Sequence, residues 1–177
     1  MFGTLKQRLH DMGTIKALCL EAERQARQSG EQEPGAEHFL LAAIELPDGS
    51  ARQVFARLGV DADAVRGAVA AQYDNALRNV GVDPRVLNST IGDSTVTMRT
   101  ATLYRAKPSG ASVMQALAAL RRSDSDGPLL GAHVLIAVAG MNEGVAIRTL
   151  RALGIEPSEL AGSAKVEADK APSYPLT

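Results

Sequence analysis

The chain has 177 residues, a net charge of -1 from 19 basic and 20 acidic side chains, 45% apolar residues and one cysteine. One cysteine excludes a disulfide framework and a cysteine-based zinc module, no apolar run approaches the roughly 20 residues that span a bilayer, and near-neutral charge offers no broad field to nucleic acid. The length fits one compact domain or two small fused ones, and 29 alanines against three Phe, three Tyr and no Trp favour closely packed helices over a sheet sandwich.

The opening stretch from Met1 to Gly13 is polar and lacks the apolar core of a signal peptide, so the expected compartment is a reducing cytoplasm. Ile15, Leu18, Cys19, Ala22 and Ala26 then follow helical i, i+3, i+4 spacing. Phe39 to Ile44 is apolar on every side, as expected of a helix buried inside a bundle; a strand is the rival, disfavoured by the alanines and by Glu37, which suits the positive end of a helix dipole. Ala51, Val54, Phe55 and Leu58 form a third helical stripe that ends at Gly59, a left-handed C-cap. Asp61 caps a fourth helix running to about Leu77, with Val65, Val69 and Tyr73 on one face.

Residues 80–107 form a linker between two similar halves, either a short hairpin or an extended loop, which from Pro84 to Lys107 carries Arg85, Arg99, Arg105 and Lys107 against Asp93. Beyond it, residues 133–160 repeat residues 38–65 at an offset of 95 without gaps: His38/His133, Leu40/Leu135, Ala42/Ala137, Gly49/Gly144, Ala51/Ala146, Leu58/Leu153 and Gly59/Gly154 are identical. Val113, Ala116, Leu117 and Leu120 match the first helix, Val134 to Ala139 the buried one, and Ala146, Thr149, Leu150 and Leu153 the third, ending at Gly154. After it, Pro157 and Ser158 are expected to start only a short turn of helix, and residues 162–177 to form a disordered tail. The domain plan is therefore a first repeat at 1–79, a linker at 80–107, a second repeat at 108–161 and the tail, all within one compact body.

A search for chemistry returns little. Phosphate-binding glycine loops, HExxH and G-x-S-x-G are missing, so no cofactor, no metal site and no nucleotide are expected. Cys19 sits on a buried stripe, where a small hydrophobe is the simpler role than a nucleophile. His38 and His133 occupy equivalent helix starts, which one structural job explains, such as a hydrogen bond from the helix start to the preceding loop. A metal at His38 would need more than Glu37, and Ala132 stands where a second Glu37 would be.

The segments PGAEHFLLAAI (Pro34 to Ile44) and DGSARQVFARLGV (Asp48 to Val60), matched again by LLGAHVLIAVA and EGVAIRTLRALGI (Glu143 to Ile155), resemble the Clp N-terminal repeat. This is the double four-helix module at the front of the ClpC, ClpB and ClpA chaperone ATPases, and the opening Met1-Phe2 is also like the ClpC type. The resemblance implies an all-α fold of two four-helix units related by a pseudo-two-fold. It implies a non-enzymatic module that binds adaptors, peptide segments or tagged proteins of the Clp chaperone and protease system, for delivery or sequestration. The ATPase modules are missing here, which points to a stand-alone protein of the actinobacterial type.

Two site residues follow from the resemblance alone. Glu37 matches the glutamate that helps bind phosphorylated arginine, whereas Ala132 replaces its counterpart, so the second such site is expected to be dead. Phe2 matches one of the aromatics that contact peptides or cyclic peptide antibiotics between the N-terminus and the second repeat; its partner position is Ala106. Two other functions stay open on the residues: a nucleic-acid-binding regulator using Arg99 and Arg105 of the linker, and a small hydrolase whose site has no recognisable pattern.

Overall fold

The computed structural model describes residues 2–79, 104–123 and 127–170, and the side chains of 7–79, 104–122 and 127–170. They form eight α-helices and no strand among the described residues. The first repeat gives α1 (Phe2–Gln28), α2 (Ala36–Glu45), α3 (Ser50–Arg57) and α4 (Ala62–Asn79); the second gives α5 (Pro108–Ser123), α6 (Gly131–Ala139), α7 (Val145–Ala152) and α8 (Pro157–Ala168). The all-helical, two-repeat expectation holds. The 80–107 linker is described only from Tyr104, and its hairpin alternative lies outside the described residues.

Helices α2 and α6 are helices rather than strands, and both are central. Every residue of α2 from Ala36 to Ile44 is buried, as is α6 from Gly131 to Val138 apart from a half-buried Ile136. A helix without a polar face must be covered all round. The two pack against each other, α1 and α5 cover their flanks, and the remaining helices exchange between repeats: α3 lies on α6 and α8, α7 on α2 and α4. Exchanging the repeats maps α3·α8 onto α7·α4, α2·α7 onto α6·α3, and α1·α2 onto α5·α6, as a pseudo-two-fold requires. One continuous apolar core results, drawn from both repeats.

The helix ends match their signals. Gly59 and Gly154 both have φ 73°, and in each case the next residue reaches back to the last turn of the helix, Val60 N–H to Phe55 O at 3.0 Å and Ile155 N–H to Leu150 O at 2.9 Å. Asp61 Oδ1 accepts the Asp63 N–H at 2.9 Å at the start of α4.

The starts of the central helices are capped across the repeats. Ser50 Oγ accepts the Ala132 N–H at 2.8 Å and Asp48 Oδ2 the Gly131 N–H at 3.2 Å, while Ser109 Oγ of α5 accepts the Ala36 N–H at 3.2 Å. These first-turn amides have no partner inside their own helix.

The end of the second repeat corrects the sequence expectation. Pro157 starts twelve residues of helix, and residues 162–168, assigned to a disordered tail, form its last turns. The apolar signal was weak because α8 buries only Leu160 and Ala164. These are the counterparts of buried Val65 and Val69 in α4, so the offset of 95 runs through the fourth helices as well. Arg57 fastens α8 from outside, 2.6 Å from Glu167 and 3.1 Å from Ser163 O.

Close approach of α2 and α6 depends on Gly131, where an added Cβ would lie 2.8 Å from Ala43 O and 3.2 Å from Ala51 Cβ. Backbone cannot swing aside as a flexible side chain can. Gly131→Ala is expected to destabilise the fold by about 1–3 kcal/mol in urea titrations. Gly162→Ala, in an exposed stretch of α8 with nothing within 4 Å of the new Cβ, is expected to stabilise it by up to about 1 kcal/mol.

Candidate functional site

Glu37 occupies the second position of α2, directly beside His38, and is only 3% exposed. Its carboxylate curls back over Gly35, whose Cβ, were there one, would lie 2.7 Å from Oε1. Tyr73, from α4, donates its hydroxyl to Glu37 Oε1 at 2.6 Å. Burial and the adjacent carboxylate push the Tyr73 phenol above its ordinary pKa, so it stays a donor. The second repeat lost both partners together: Ala132 stands for Glu37 and Ala168 for Tyr73.

The two equivalent histidines do the same job. His38 Nδ1 accepts the Gly35 N–H at 2.9 Å and His133 Nδ1 accepts the Leu130 N–H at 3.1 Å, each closing the loop before its helix onto the first turn. This is the structural role expected from their equivalence. An accepting Nδ1 places the proton of neutral His38 on Nε2, which is buried without a hydrogen-bond partner. Burial pushes the His38 pKa below its ordinary value, against the opposing pull of Glu37, whose Oε1 lies 3.5 Å from Nδ1; Lys107 adds to the lowering and Glu31 opposes it.

The remaining sequence candidates are dispersed. Phe2 lies in the first turn of α1, and its side chain is outside the described ones. Ala106 packs against the core, and the aromatic of that region is Tyr104, edge-on to Phe39 with ring centroids 6.3 Å apart. Cys19 faces the Tyr104 hydroxyl, and burial pushes its thiol up, away from the reactive thiolate. Of the linker cations, Lys107 pairs with Glu31 at 2.9 Å and Arg105 lies 4.0 Å from Glu33, whereas Arg85 and Arg99 fall outside the described residues. His10 is exposed on α1. No group of three His, Cys, Asp or Glu able to hold a metal ion exists among the described residues, and no helix there is long and apolar enough to cross a membrane.

A concavity that was not anticipated lies on the second repeat. Helix α5, helix α6 and the loop leading to α7 enclose a groove of about 760 Å³, with Ala116, Ile136 and Met141 supplying apolar walls and Ser112 and Glu143 polar positions. Its origin is visible against the first repeat. Glu21, Arg24 and Glu45 there become Ala116, Ala119 and Gly140 here. In the first repeat this face is crossed by ion pairs, Arg24 to Glu21 at 2.6 Å and Arg52 to Glu45 at 3.1 Å, with Arg66 joining Glu45. Replacing long charged side chains by Ala and Gly removes both the cover and the charge. The repeat alignment held this signal, in the residues that differ between copies rather than in those that agree.

Two results connect this geometry to known proteins. Residues 15–84 match the family model of the Clp repeat (R) N-terminal domain. The described helices resemble the crystal structure of the N-terminal domain of the caseinolytic protease associated chaperone ClpD from Arabidopsis thaliana, with 17% identity, a TM-score of 0.55, and coverage of 88% of this chain and 92% of that one. No curated protein sequence matches significantly.

The Glu37 cluster makes stability depend on pH in a defined direction. Because the folded His38 pKa is lowered, the unfolded chain binds more protons below the ordinary imidazole pKa of about 6.5, and stability falls as pH drops through that value. Urea midpoints are expected to decline between pH 7.5 and 5, with a shallower decline in His38→Gln. Tyr73→Phe is expected to cost about 1–3 kcal/mol at pH 7, because it strips a donor from a buried carboxylate.

Proposed function

We propose that this chain, which carries a Clp repeat N-terminal domain at residues 15–84 on the fold of a Clp chaperone N-terminal domain, is a non-enzymatic binding module of the Clp chaperone and protease system. In Clp ATPases such domains receive substrates and adaptors. The role assigned here is to hold an unfolded or adaptor-borne peptide segment, for delivery to a Clp ATPase or for retention away from it. Surface recognition accounts for this role without turnover, and the half-buried Cys19 thiol, its pKa raised, is consistent with it.

The observation that carries the reading is the α5–α6 groove. Its apolar walls suit one or two aliphatic or aromatic side chains of an extended segment, and Glu143 on its edge suits a flanking lysine or arginine. The helices around it belong to a single core that is already folded, so binding orders the peptide rather than the protein and loses less entropy.

Glu37 has a different part in this reading. Its carboxylate is buried and already engaged by Tyr73, so a guanidinium from solvent would have to displace a 2.6 Å hydrogen bond to reach Oε1. We assign Glu37 to fastening α4 onto α2, and the recognition of a tagged arginine to no residue of the second repeat.

The test uses fluorescein-labelled casein as an unfolded probe. Ala116→Trp fills the groove from one of its apolar walls and is expected to weaken binding at least tenfold while the helical circular dichroism and thermal midpoint hold. Glu143→Lys is expected to weaken it several-fold, with greater effect at low salt. Equal binding by wild type and Ala116→Trp would overturn the assignment of the groove. An arginine-phosphorylated peptide whose binding is lost in Glu37→Gln, with stability retained, would return Glu37 to the binding surface.

A further inference from the structure

Helix α1 is longer than its counterpart and is amphipathic the wrong way round. α5 starts at Pro108, the equivalent of Gly13, so residues 2–12 of α1 have no helical equivalent among the described residues of the second repeat. The face of this extension that meets the body is polar. Gln7 Nε2 donates to Gly127 O at 2.7 Å, Asp11 Oδ2 pairs with Arg121 at 2.6 Å, and Asp11 Oδ1 accepts the Leu129 N–H at 2.8 Å. Two turns further on, the same face continues into fully buried Leu18.

The opposite face is open and carries three exposed apolar residues around Lys16. Leu9, Met12 and Leu20 are 62%, 66% and 55% exposed, and spacings of three and eleven residues put them on one stripe at 100° per residue. Gly13, beside them, has nothing within 4 Å of a built Cβ. One cation lies within the stripe and another at its edge: at 100° per residue Lys16 falls between Met12 and Leu9 and Arg8 lies to the side of Met12, both exposed and neither with a carboxylate partner among the described residues. The anionic side chain of this stretch, Asp11, is turned inward and spent on Arg121. Three polar contacts thus hold in place a helix whose solvent face is unfavourable in water, and isolated apolar residues are common on surfaces whereas an ordered stripe is not.

We infer that the outer face of α1 is a second docking surface, for an acidic amphipathic helix of a partner protein. Apolar side chains of the partner would cover Leu9, Met12 and Leu20, and its carboxylates would meet Arg8 and Lys16. The charge decides among occupants. A second copy of this chain, laid along its own α1, would bring Arg8 and Lys16 against their equivalents, whereas glutamates flanking an apolar seam complement them. This surface is separate from the α5–α6 groove and does not depend on what the groove binds.

The probe is a fluorescein-labelled synthetic helix with leucine at a and d heptad positions and glutamate at the flanking e and g positions, titrated with the full chain at 50 mM salt. The expected result is saturable binding that weakens at least tenfold in Met12→Glu and in Lys16→Glu, and also as salt is raised to 300 mM. Ala116→Trp is expected to leave it unchanged, so that failure of the groove and failure of this surface read separately. The same peptide with lysine in place of glutamate should not bind. Met12 and Lys16 are exposed, so their variants are expected to fold, which circular dichroism checks.

Equal binding of the glutamate and lysine peptides, or unchanged binding in both α1 variants, would overturn the proposal. So would self-association of the chain alone that Met12→Glu abolishes, which would make the occupant a second copy. Sedimentation with phosphatidylglycerol vesicles, lost in the same variants and without binding of the acidic helix, would make it a lipid surface instead.

Discussion

Two helices with no polar side must be buried by something, and their first-turn amides must be satisfied where water does not reach. That constraint organises the protein. A single repeat has one apolar central helix and three helices to cover it, with the third and fourth unable to serve both their own repeat and the open face of α2 or α6. Exchange solves this: α7 covers α2, α3 covers α6, and Ser50, Asp48 and Ser109 carry hydrogen-bond acceptors from one repeat to the buried amides of the other. An unpaired buried amide costs more than the net gain of a formed hydrogen bond, so neither repeat is complete without its partner.

Within that frame the two copies differ at two places where the first repeat holds polar and charged side chains and the second holds small ones. Glu37 and Tyr73 become Ala132 and Ala168, and the ion pairs around Glu21 and Glu45 become the open, apolar surface of Ala116 and Gly140. A buried carboxylate is tolerable only with a donor on it, so losing Glu37 and Tyr73 as a pair avoids stranding either one. The first repeat is stiffened by polar links across α2 and α4. The second offers concave surface, and the α1 extension offers convex surface.

The histidines show how the same residue acquires different properties from its neighbours. His38 and His133 close the same turn with the same nitrogen. Only His38 sits beside a buried carboxylate, with a tyrosine ring 6.2 Å away and a buried Nε2 without a partner. Equivalent sequence positions therefore predicted the shared hydrogen bond, while the environment of the His38 ring was set by its neighbour Glu37 and by Tyr73 from α4.

The sequence by itself determined the local elements and their duplication. Periodic apolar stripes, the all-apolar stretches Phe39 to Ile44 and Val134 to Ala139, the glycines after Leu58 and Leu153 and the matched histidines are short-range signals, and helix start, helix stop and burial of one face are short-range consequences. Tertiary structure decided what those elements do for one another. Helix α8 was underestimated because Leu160 and Ala164 carry its burial and α3 and α6 supply the rest of its support. Glu37 read as an accessible carboxylate until Tyr73 arrived from α4. The groove and the outward stripe of α1 depend on which faces remain uncovered after packing, and coverage is a property of the whole assembly of helices that no local pattern along the chain encodes.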